Sequence, residues 1–121
     1  MANSRRWRVR LAAAAENDFR NILRWTSEHF GEGQAHAYAE TLTSAIESLA
    51  AGPEVSLSRK REEIAEGLRT LHVAREGRRG RHLVLYRVGK PEEPPVIDVL
   101  RLLHDSMDLI RHVETGGEEG R

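Results

Sequence analysis

The chain has 121 residues, 39% of them apolar, with 19 Lys and Arg against 19 Asp and Glu and no cysteine. A length of this order carries one domain, and the balance of charged and apolar residues places the chain among ordinary globular proteins rather than disordered ones. The missing cysteine excludes a disulfide framework, an iron–sulfur site and a thiolate nucleophile.

The neutral total conceals an uneven distribution, since residues 1–58 sum to −1, residues 59–87 to +5 and residues 88–121 to −4. Of the 19 basic residues 17 are arginine, whose planar fork suits bidentate pairing with carboxylate or phosphate. The middle segment is therefore expected to face an anionic partner, either nucleic acid or an acidic polypeptide.

Residues 1–6 read as a flexible lead without the apolar stretch of a signal peptide. No apolar run approaches the roughly 18 residues a bilayer helix needs, so the expectation is a cytoplasmic protein with no membrane partner. Trp7-Arg8-Val9-Arg10-Leu11 alternates with period 2 and predicts a half-buried strand. Ala15, Phe19, Ile22, Leu23, Thr26 and Phe30 then share one face of a helix of about 16–18 residues. Gly31-Glu32-Gly33 breaks the chain, and Ala35, Tyr38, Leu42, Ala45, Ile46 and Leu49 form a second helical face that stops at Gly52-Pro53. So short a connection makes the pair an antiparallel hairpin.

Residues 54–67 show no strong period and read as a mobile surface loop. Leu68–Ala74, His82–Val88 and Val96–Leu103 follow as strands, joined by connections rich in turn formers. The last two runs are apolar on both parities and are expected at the centre of the sheet. The predicted order is β-α-α-β-β-β, an α+β fold with a helical hairpin packed on a mainly antiparallel sheet. Asp108 is expected to cap a short helix over 109–113. Residues 114–121 read as a disordered acidic tail, leaving one domain over 7–113.

Nucleophile-elbow, phosphate-loop and zinc-protease motifs are all missing. His72, His82 and His104 lie on strands, but their spacing does not demand a metal, so neither metal nor cofactor is expected. Arg69, Arg75, Arg78, Arg79, Arg81, Arg87 and Arg101 lie in or between the last strands. With His82, His104 and Tyr86 they would suit a metal-independent RNA-cleaving surface, arginine stabilising phosphate charge while His or Tyr moves a proton. The alternatives are a solvated sheet face or an arginine surface matched to a partner's carboxylates. Trp7 and Trp25 are candidate interface anchors, with core packing the other reading for Trp25.

The alanine-rich helix start Leu11–Phe19, the hairpin end Leu49-Ala50-Ala51-Gly52-Pro53, the strand His82-Leu83-Val84-Leu85-Tyr86-Arg87 and the ending Leu103-His104-Asp105-Ser106-Met107-Asp108 together carry a recognisable pattern. Over residues 7–113 the chain resembles the ParE toxins of the RelE/ParE superfamily of type II toxin–antitoxin systems. The resemblance implies the fold just read and a bacterial growth-inhibiting toxin of the plasmid-stabilisation kind, neutralised by a cognate antitoxin. It implies DNA gyrase as the target, acted on by binding, with no sequence-specific nucleic-acid contact. RelE relatives instead cut mRNA on the ribosome, and in that alternative Arg69, Arg81, His82, Tyr86 and His104 would be the catalytic set. Those nucleases carry a basic residue and a tyrosine near the end of the last strand, where this chain reads His104-Asp105-Ser106-Met107-Asp108. A further alternative is an inactive toxin that serves only to bind antitoxin. The expected antitoxin contact is an acidic amphipathic segment laid in the helix–sheet groove, paired with Arg69, Arg75, Arg81 and Arg101. Unlike the family pattern, the first helix starts without a Ser or Thr cap.

Overall fold

In the computed structural model, residues 6–89 and 95–107 are described. The N-terminal lead up to residue 5, most of the connection before Val96, the Asp108 cap, the helix over 109–113 and the acidic tail fall outside them.

Strand β1 (Arg8–Leu11) leads into helix α1 (Ala13–Phe30), then α2 (Glu32–Ser48) and a single 3-10 turn, Leu49–Ala51. Strands β2 (Arg59–Lys60), β3 (Leu68–His72), β4 (His82–Val88) and β5 (Val96–His104) complete one sheet of order β1-β5-β4-β3-β2. The arrangement is α+β, two helices on a mixed and mostly antiparallel sheet.

Three details depart from the sequence reading. The supposed loop 54–67 contains β2, an edge strand paired antiparallel with β3, and its backbone is tied down by Arg61 donating to the Leu68 carbonyl at 2.8 Å. The break between the helices shrinks to Gly31, whose φ of 94° and ψ of 166° reverse the chain in one step, so Gly33 lies inside α2. Phe30, expected on the buried face of α1, is 63% exposed, because the last turn of the helix runs clear of the main core.

Ala15, Leu42, Ala45 and Leu49 of the hairpin pack on Leu71, Val84, Tyr86, Ile97, Val99 and Leu102 of the sheet. Val99 and Leu102 share this face despite their odd spacing, because a bulge puts Leu85 opposite Arg101 and Tyr86 opposite Val99, leaving Leu100 unpaired. The same bulge helps fill the other face, where Leu68, Leu85 and Leu103 pack with Ile64 and Leu100. β4 and β5 are thus apolar on both parities because both sheet faces are covered where they run.

Candidate functional site

An open groove of about 940 Å³ lies between the C-terminal part of α1, the start of α2 and the strand ends. Its apolar wall is Ile22, Trp25, Phe30 and Met107, and its floor carries Tyr38, His82 and His104, with Arg79 and Arg81 on the sheet side. Trp25 is 54% exposed and stacks on His29 at 4.1 Å between ring centroids, with Phe30 edge-on at 5.8 Å. So much exposed aromatic surface is characteristic of a docking site, and Trp25 is not packed in the core. Trp7 packs instead against the core.

The floor is organised by Tyr38. Its hydroxyl accepts the Arg81 backbone N–H at 3.1 Å and lies 2.7 Å from His82 Nδ1. Burial, reinforced by neighbouring His104, pushes His82 down to about 4, so the ring is neutral at physiological pH. Burial likewise raises Tyr38, which remains a phenol.

Beside this floor Asp105 gathers three elements. It accepts Arg81 Nε and Nη2 at 3.1–3.2 Å and pairs with His72 Nε2 at 2.9 Å. The hydrogen bonds from Arg81, followed by those from His72, hold its carboxyl down at about 2. The Asp105 N–H also donates to the Arg81 carbonyl at 2.7 Å. His72 Nδ1 accepts from the Ala74 N–H, so both nitrogens of that ring are engaged. His104 Nδ1 takes the Ser106 N–H and lies 2.8 Å from Ser106 Oγ. Asp105 approaches that same nitrogen at 3.7 Å rather than the opposite one, so the three do not form a nucleophilic triad.

The expected ribonuclease set is only partly assembled. Arg81, His82 and His104 line the groove, whereas Tyr86 is fully buried and donates its hydroxyl to the Pro53 carbonyl at 2.6 Å. Tyr86 is apolar enough to complete the core between two long strands, and the Pro53 carbonyl satisfies its one polar atom. Arg69 reaches Ser58 at 2.8 Å and its Nε is buried without a hydrogen-bond partner among the described residues. One nitrogen of His82 is occupied by Tyr38. No group of three His, Cys, Asp or Glu placed to hold a metal occurs among the described residues.

The expected antitoxin-binding arginines are likewise divided. Arg81 lies on the groove. Arg101 instead grips Asp18 of α1 in a bidentate pair of 2.8 and 3.1 Å, and Arg75 is only 8% exposed. Arg69, Arg75 and Arg101 are drawn inward because their strands and turns pack on both faces. Arg79, exposed on the groove rim, joins Arg81 as the available basic surface. Tyr38 and Phe30 were placed on apolar helix faces and Met107 in the quoted chain ending, but none of the three was read as a site residue. Tyr38 fits the apolar face of α2, and only its hydroxyl distinguishes it there.

A family model of the ParE toxin of type II toxin–antitoxin systems matches residues 9–109. Toxin ParE1 of Mycobacterium tuberculosis is 34% identical over 106 residues, covering 88% of this chain and 97% of that protein. Toxin ParE1 of Caulobacter vibrioides is 30% identical over 104 residues, covering 86% and 95%. Among solved structures, a chain of the chromosomal ParDE system from P. aeruginosa superposes with a TM-score of 0.67 at 20% identity, over 84% of this chain and 98% of that one. A chain of the RelBE2 toxin–antitoxin complex from M. tuberculosis gives 0.52 at 22% identity, over 82% and 98%. These two likenesses concern the fold, while the sequence matches carry the assignment, and on them the chain belongs to the ParE toxin family of type II toxin–antitoxin systems.

Proposed function

We propose that this toxin arrests growth by binding DNA gyrase and trapping its cleaved-DNA intermediate, and that a cognate antitoxin silences it by filling the groove. The carrying observation is the character of that groove. It exposes Trp25 and Phe30 and carries Arg79 and Arg81 on its rim, while on its floor His82 Nδ1 is engaged by the Tyr38 hydroxyl. An acidic amphipathic segment would lay its apolar side against the aromatic wall and its carboxylates against the two arginines. The toxin–antitoxin systems that share the fold support a protein partner of this kind. In this reading the contact falls to Arg79 and Arg81, which line the groove, because Arg101 is paired with Asp18 and Arg69 and Arg75 are drawn into the fold. No described helix is long and apolar enough to cross a membrane, and the proposed site of action is the cytoplasm.

The test is a supercoiling assay with purified gyrase, plasmid and ATP. The expected result is loss of supercoiling with accumulation of linear, protein-linked DNA, reversed by the antitoxin encoded beside the toxin. Undisturbed supercoiling at micromolar toxin, together with cleavage of ribosome-bound mRNA, would overturn the gyrase reading in favour of the RelE-type ribonuclease. Neither effect would leave an inactive, antitoxin-binding module.

A further inference from the structure

We infer that Tyr38 is the positioning residue of the basic rim: its hydroxyl fastens the turn before β4 to helix α2 and so sets where Arg79 and Arg81 meet a partner's carboxylates. This rests on the groove being the antitoxin site and names the residue that shapes it. Tyr38 itself need not touch the partner.

Three observations meet at this hydroxyl. It accepts the Arg81 N–H at 3.1 Å and pairs with His82 Nδ1 at 2.7 Å, so it is bonded to both residues at the junction of turn and strand. The turn also lies directly on the ring. A Cβ built on Gly80 would come 2.6 Å from Val73 Cγ2, 2.7 Å from the Tyr38 hydroxyl oxygen and 2.8 Å from its Cε1, closer than any side chain tolerates, so the glycine is what lets the turn pack on Val73 and on the tyrosine ring. Finally, the guanidinium of Arg81 is held from the other side by Asp105. Backbone and side chain of Arg81 are thus fixed independently, the backbone by α2 and the side chain by the end of β5.

A fixed rim matters because binding by charge is sensitive to placement. An arginine already held in the conformation that meets a carboxylate loses less freedom on association than one that must be ordered. Removing the hydroxyl deletes no charge and no groove-facing apolar surface. It releases the turn, and the loss must then appear through the arginines.

The experiment compares Tyr38→Phe, Arg79→Ala/Arg81→Ala and the triple variant in binding to the adjacently encoded antitoxin across a range of salt concentrations. The expected result is a loss of about tenfold in affinity for Tyr38→Phe with a flatter salt dependence, while the triple variant binds no worse than the double. Such non-additivity marks action through a shared contact. A general structural role would instead multiply the losses and leave the salt slope unchanged, and either of those outcomes overturns the inference.

If the arginine variant binds as well as the wild type, the groove reading fails and the partner-binding role of Tyr38 fails with it. If only Tyr38→Phe is silent, the groove reading stands and the positioning role is overturned. A readout needing no partner accompanies these: hydrogen exchange at the Arg81 amide should quicken in Tyr38→Phe. An unchanged Arg81 amide would overturn the tie itself.

Discussion

Asp18 joins helix to sheet through three hydrogen bonds, accepting Arg101 Nε and Nη2 at 2.8 and 3.1 Å and the Leu102 N–H at 2.9 Å. Both side chains are largely withdrawn from water, 13% exposed for Asp18 and 19% for Arg101. Truncating one member of such a pair is costly chiefly because it strands the other, and here a backbone N–H loses its acceptor as well. Asp18→Ala is expected to destabilise the fold by about 2 kcal/mol or more. Asp18→Asn should cost markedly less, since an amide oxygen can still serve the Leu102 N–H. Urea unfolding of both variants checks this, and equal losses would show that the charge pair alone, not the backbone bond, holds α1 in place. Sequence could offer Arg101 to a partner because nothing local marks Asp18 as its acid. Its acid is 83 residues away, a distance that only the fold closes.

At the scale of elements the helical hairpin turns on a single residue. Gly31 has a φ of 94° and a ψ of 166°, a region essentially confined to glycine, and it serves as the C-cap of α1 and the N-cap of α2 together. A Cβ there would meet nothing within 4 Å, so a substitution is opposed by backbone conformation alone. Gly31→Ala is expected to lower stability by about 1–3 kcal/mol, measured as a shift in the denaturation midpoint with an unchanged slope; no shift would mean the hairpin relaxes into another turn at no cost. The helices and the central strands β4 and β5 were legible because their periodicity extends over many residues. β2 was not, because two exposed residues, Arg59 and Lys60, carry no period and owe their extended form to pairing with β3. The parallel pairing of β1 with β5 was also hidden, since it joins the two ends of the domain and no local pattern encodes it.

For the whole molecule, the excess of positive charge falls within residues 59–87, and the fold divides the arginines in and around that segment between interior and groove. Folding consumes Arg69, Arg75 and Arg101 in contacts or burial of their own and leaves Arg79 and Arg81 on a groove whose other wall comes from α1, far away in the chain. Meeting of that kind depends on tertiary packing, as does the convergence of Tyr38, His82 and Asp105 that dictates how the protein responds to acid. His82 lies at about 4 in the fold against an ordinary 6.5, so the unfolded chain binds its proton first and stability falls as the pH drops from about 6.5 to 4. Asp105 lies at about 2 against 3.8, so its contribution is intact above about 3.8 and is lost between there and 2. Both act in one direction, and the thermal midpoint should stay level near pH 8–7, decline below 6.5 and fall again under 3.8. His72, His104, Asp18 and Asp105 also face His82, so the assignment rests on a difference between proteins. His82→Gln cannot take up the proton, and its midpoint curve should lack the decline between pH 6.5 and 4 while keeping the one below 3.8. Parallel curves for the two proteins would place the upper transition on other groups and remove His82 from the acid response.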